Sequence, residues 1–68
     1  MKSILFKVDH FDTVKACMVE CLKVQSQLAA QKVRTDLKTH KHEKYHHIHS
    51  YELIFKNDDD YMIYQFIA

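Results

Sequence analysis

Apolar residues in this chain repeat with two different periods. From Ser3 to Val8 (SILFKV), Ile4, Phe6 and Val8 alternate with Ser3 and Lys7, and only Leu5 breaks the pattern. That alternation predicts a strand with one strongly apolar face. From Thr13 the spacing changes to threes and fours: Val14, Cys17, Met18, Cys21, Leu22, Leu28 and Ala29 form a stripe, which Val33 and Leu37 continue with a drift around the axis. Val19, Val24 and Ala30 widen the apolar arc beyond what one sheet face requires. Asp9 and Asp12 are the N-cap candidates; with Asp12 as the cap, Phe11 and Ala16 take the positions of a hydrophobic staple. No residue breaks the pattern before Thr39, so the predicted helix is roughly 40 Å long. A short strand spans only ~20–27 Å. The helix is therefore expected to overhang its sheet at the basic end.

Two further strands are predicted. His47–Lys56 (HIHSYELIFK) and Tyr61–Ile67 (YMIYQFI) are rich in β-branched and aromatic residues. Asn57, Asp58, Asp59 and Asp60 separate them and suit a hairpin turn, since Asn and Asp tolerate left-handed backbone. The expected fold is one α+β domain over residues 1–68, β-α-β-β, with one long helix packed on a three-stranded antiparallel sheet. Tyr51, Leu53 and Phe55 would point to one face, and Ile48 and Ile54 to the other. In the last strand Met62, Tyr64 and Phe66 would oppose Tyr61, Ile63 and Ile67. A single helix covers one face only. A large apolar second face is rare on soluble monomers, so a homodimer through Ile48, Ile54, Tyr61, Ile63 and Ile67 is expected.

Composition narrows what such a domain can do. The chain has 68 residues, 47% hydrophobic, with no glycine and no proline. Phosphate-cradling loops, nucleophile elbows and dinucleotide-binding turns need glycine where backbone meets ligand, so none can form in its usual shape. A chain this short buries only about 60% of the surface its unfolded form exposes, and such domains commonly lean on a disulfide, a metal or a partner chain. Cys17 and Cys21 share one helix face with side chains running parallel, a poor geometry for a disulfide; free thiols point to a reducing, cytoplasmic setting. No apolar run approaches the ~20 residues of a membrane span, and no signal peptide is evident at the start.

The net charge is +1, which by itself selects neither nucleic acid nor an anionic membrane. Its distribution is uneven. Residues 32–49 hold Lys32, Arg34, Lys38, Lys41 and Lys44 together with His40, His42, His46, His47 and His49, whereas residues 50–68 are acidic. The basic segment, with Tyr45, offers a contact surface for an acidic partner, with histidines that strengthen it below about pH 6.5. It also offers phosphate contacts with an aromatic to stack on a base, although dedicated nucleic-acid domains are usually more basic overall. The histidines suit transition metals chemically, and His42 and His46 are four apart, but Cys17 and Cys21 lie far back along the predicted helix. No motif orients Ser3, Ser26, Ser50 or either cysteine toward a histidine base, and Asp58–Asp60 lack the glycine and downstream acid of a calcium loop.

The expectation is therefore a small non-enzymatic, homodimeric protein-binding module, without a cofactor. It would be a regulator, adaptor or inhibitor of the kind phages and mobile elements encode, occupying an acidic surface of a larger protein. The contact residues are Lys32, Arg34, Lys38, Lys41, Lys44, Tyr45 and His46. Nucleic-acid binding through residues 32–49 and transition-metal binding through the histidines are the alternatives.

Overall fold

A computed structural model describes residues 1–67. Strand β1 (Ser3–Lys7) leads through a 3-10 turn (Val8–His10) to helix α1 (Val14–Ala30). Strands β2 (Thr35–Lys41) and β3 (Ile48–Phe55) follow, then a second 3-10 turn (Asp58–Asp60) and helix α2 (Tyr61–Ile67). The sheet is antiparallel in the order β1-β3-β2, so β3 is central and β1 and β2 are both edges. The class is α+β with a three-stranded antiparallel sheet and one long helix. No helix among the described residues is long and apolar enough to cross a membrane.

Three assignments differ from the sequence pattern. The long helix does not reach Thr39; it stops at Ala30. There the Lys32 amide donates to the Ala29 carbonyl and the Val33 amide to the Leu28 carbonyl, each at 2.9 Å. This is a Schellman ending, in which the residue after the cap takes left-handed backbone. Lys32 does so, at φ 62°, where glycine is usual. The apolar contact that accompanies the motif is Leu28 against Val33, both buried. At ~25 Å, α1 matches its sheet instead of overhanging it. Residues 35–41 become a strand because Val33 and Leu37, spaced by four, satisfy a period of two as well as one of 3.6, and Thr35 and Thr39 favour extended backbone.

The chain from Asn57 also turns out differently. It is not a hairpin turn: the Asn57 side chain accepts from the Asp59 amide at 3.1 Å, and three aspartates crowd the first turn of what becomes a helix. Negative charge at a helix start is favourable. Tyr61–Ile67 is accordingly α2 rather than a strand, and sets Tyr61 and Tyr64, three residues apart, against Phe55 (ring centroids 5.5 and 6.5 Å). At the start of α1 the cap is Thr13, not Asp12; its side chain accepts from the Ala16 amide at 3.0 Å.

The core lies between α1 and one face of the sheet. Cys17 and Cys21 pack against Tyr51 and Leu53, with Ile4, Phe6, Phe11 and Ile48 around them. Leu28, Val33 and Phe55 form the other end, covered by Tyr61, Ile63 and Tyr64. The opposite sheet face was expected to be broadly apolar, and it is not. The register places Ser3, Leu5 and Lys7 of β1 beside Ser50, Glu52 and Ile54 of β3 and Asp36, Lys38 and His40 of β2. Only Leu5 and Ile54 are apolar there. Ile48, expected on that face, packs instead on the helix side, beyond an irregularity in the pairing at His40/Lys41.

The left-handed Lys32 generates a direct prediction. Lys32→Gly removes the clash between Cβ and backbone and should stabilise the domain by about 1 kcal/mol. Urea unfolding checks it; an unchanged or lower midpoint would mean the helix ending is not strained.

Candidate docking surface on β2 and its turn

The basic residues singled out in the sequence all lie along β2 or at its ends, and all are exposed. Lys32 and Arg34 precede the strand, Lys38 stands on its polar face opposite Glu52, and Lys41, Lys44, Tyr45 and His46 belong to the far end and the turn into β3. A strand of this length separates the two groups by about 23 Å. Within one copy they form two patches and not one.

The turn is built without glycine. The His42 amide donates to the His47 carbonyl, and the His46 amide to the His42 carbonyl, both at 2.8 Å, while His46 takes left-handed backbone at φ 61°. Histidine tolerates that region better than most residues. The His42 Nδ1 accepts from the backbone amides of Lys44 (3.2 Å) and Tyr45 (3.3 Å). This ties the imidazole into the turn as an acceptor. Its ring stacks on His47 (5.2 Å, 15° between planes) and tilts against Tyr45 (4.9 Å). Lys44 Nζ sits 5.4 Å from the Tyr45 ring centroid. Tyr45 is thus 64% exposed yet held between ordered neighbours.

On the polar face His40 Nε2 meets Glu52 Oε1 at 2.9 Å. The Ser3 hydroxyl and His40, in that order, hold the Glu52 carboxyl below the usual glutamate range against an opposing effect of burial, with the positive charges of His40 and Lys38 adding to them. A carboxyl depressed in this way stabilises the fold above the pH at which the unfolded chain's glutamate ionises. That stabilisation is lost as the pH falls through the folded value.

Among the described residues no strand lies along the outer edge of β2. The Arg34 carbonyl accepts from the Lys56 amide, just beyond β3 (3.3 Å), which sets the phase: even-numbered positions face β3, and the backbone groups of Thr35, Leu37 and Thr39 face outward. The Thr35 carbonyl takes the Gln25 side-chain amide instead, at 3.5 Å. Between this edge and α1 runs an open groove of about 450 Å³, with Leu22, Gln25, Ser26 and Ala29 on the helix side and Val33, Arg34, Thr35, Asp36 and Lys56 opposite. Leu37 is 40% exposed on the same strand. Neither the edge nor the groove was visible in the sequence while residues 33–39 read as helix; the β-branched Thr35 and Thr39 were the available signal.

The other predicted residues are not gathered. Of the expected dimer interface, Ile48, Tyr61 and Ile63 pack against the core, Ile54 lies on the polar face, and Ile67 is partly exposed at the end of α2. Cys17 and Cys21 are fully buried. Burial raises both thiols, Cys21 to about 11 with the neighbouring Cys17 contributing. Cys17 Sγ donates to the Phe6 carbonyl at 3.4 Å. Protonated, enclosed thiols are poor nucleophiles and poor metal ligands. Among the described residues no group of three or more His, Cys, Asp or Glu side chains is placed to hold a metal ion.

No protein-family model, no curated protein and no solved structure matches this chain.

These environments carry two expectations. Iodoacetamide at pH 8 should leave Cys17 and Cys21 unmodified in the native protein and label both in urea; rapid native labelling would contradict their enclosure. In a carboxyl NMR titration Glu52 should titrate below an unstructured glutamate, and Ser3→Ala should move its midpoint upward; an unmoved midpoint would remove Ser3 from the account.

Proposed function

We propose that this chain is a small non-enzymatic protein-binding module, homodimeric and cytoplasmic, that regulates or inhibits a larger protein by occupying an acidic part of its surface. The observation that carries this reading is the β2–β3 turn. An exposed tyrosine ordered by a ring stack, with lysines close to it in the same turn, has the character of an interface anchor: large contact area, little freedom left to lose, and charge to steer the encounter. Lys41, Lys44, Tyr45 and His46 supply this anchor, and Lys32 and Arg34 add a second basic patch at the other end of β2. The free, buried thiols suit a reducing compartment.

The same turn gives a second reading. Tyr45 with Lys44 beside it could stack on an unpaired base while the lysines meet phosphates. The near-neutral total charge favours the protein target.

Capture from a lysate of the source cell, with and without nuclease, separates the two when done alongside Lys41→Glu/Lys44→Glu and Tyr45→Ala. A protein retained after nuclease, released by Tyr45→Ala and associating roughly tenfold more slowly with the charge-reversed variant is the expected result. Retention that disappears with nuclease, or that falls steeply and log-linearly with salt, assigns the turn to nucleic acid. Retention that ignores both variants removes the turn from the interface.

A further inference from the structure

We propose that β2 pairs with β2 of a second copy, antiparallel about a two-fold axis at Leu37, so that the two sheets join into one of six strands. This names the interface of the homodimer proposed above and rests on that reading.

The outward-facing backbone groups of β2 belong to Thr35, Leu37 and Thr39, so only registers that set odd positions opposite odd positions make a ladder. Charge then selects among these. Centring the axis on Lys38 puts Lys38 opposite itself. Centring it on Asp36 puts Asp36 opposite itself and Arg34 opposite Lys38. Like charges directly opposite each other are destabilising. Centring it on Leu37 puts Asp36 opposite Lys38 twice, once on each side of the axis, with Leu37 on Leu37 and Thr35 on Thr39. On the polar face each Lys38 then lies between Glu52 of its own sheet and Asp36 of the other copy, an alternation of sign across the joined sheets. Both residues are exposed: among the described residues Asp36 is engaged by Lys56 alone, at 3.7 Å across the surface. The Gln25 amide on the Thr35 carbonyl uses one lone pair and leaves the other for the incoming strand.

The pairing also completes the docking surface. In this register Lys32 of one copy comes level with His42 of the other, and Arg34 with His40. The two basic patches, separated along β2 within one chain, become neighbours across the dimer at both ends of the joint. Each then carries the Lys44–Tyr45 turn of one copy and the Lys32–Arg34 segment of its mate.

Sedimentation velocity on the full chain, from micromolar to millimolar concentration, tests this. A strand-edge joint sits at the small end of stable interfaces, so a reversible monomer–dimer equilibrium is expected. Asp36→Lys and Lys38→Asp should each raise the dimer Kd about tenfold, and the double variant should return it to within about threefold of the original. That recovery shows that the single variants fail through charge and not through folding. Lys56→Ala should leave the equilibrium alone. The amides of Thr35, Leu37 and Thr39 should exchange more slowly as concentration rises. A dimer that ignores both single reversals, or is not restored in the double variant, overturns this register and leaves the dimeric reading standing on another surface. A monomer at every concentration overturns both. Docking through the turn is judged separately, by the Lys41 and Lys44 variants.

Discussion

The contact of Leu28 with Val33 and Phe55 decides the shape of this molecule. It closes the end of α1, since the Schellman ending bonds the Val33 amide back to the Leu28 carbonyl only when the chain reverses through a left-handed residue. The reversal sends the next residues antiparallel to the helix, along the sheet. Without it the apolar stripe would run on through Leu37, and residues 35–41 would have no strand to form. The same three side chains then serve as the platform for α2, whose Tyr61 and Tyr64 rings sit against Phe55. One apolar cluster therefore sets the length of the long helix, creates the second edge strand and anchors the C-terminal helix.

The resulting two-layer domain divides its polar and apolar groups sharply between the two sides of the sheet. The helix side takes nearly all the apolar burial. The other side is a polar surface ordered by cross-strand pairs, His40 on Glu52 foremost. The molecule measures 36 × 22 × 14 Å, and the short dimension leaves no third layer over that face. Because the face is polar it does not need one. The backbone donors and acceptors that stand without a strand beside them, among the described residues, are those along the two edges.

The sequence revealed the parts governed by one strong signal and concealed those where two signals coincide. Ile4 and Phe6, and Tyr51, Leu53 and Phe55, alternate without ambiguity, and both strands lie where the pattern puts them. Cys17, Cys21 and Leu28 are the buried positions of the stripe read as α1. Val33 and Leu37 misled because a spacing of four fits both periods and because the stop signal, normally glycine, is a lysine. Tyr61–Ile67 misled because seven residues of high strand propensity hold too few turns for a helical period to show, while their fate was set by the cap and charges in front of them. The basic and histidine-rich residues were recognisable as a group. Their division into two patches, and the fixing of Tyr45 by His42, depend on a turn closed by two histidine amides, which no spacing rule anticipates.

A sheet with two free edges risks joining head to tail without limit, since pairing the first edge of one copy with the second edge of the next leaves both outer edges open again. Charge opposes that route here. Strand β1 carries Lys7 and no acidic residue of its own, with Lys2 just before it bonded through its amide to Asp58, and it would run beside Arg34, Lys38 and Lys41 along β2. Asp36 is the single negative charge on either edge strand. Its position two residues before Lys38 lets β2 pair the two with each other in the antiparallel register centred on Leu37, whereas β1 has no acidic residue to set against Lys38. A single aspartate thus gives Lys38 a partner in the proposed closed pair, which stops at two copies, that β1 does not supply in an open chain of sheets.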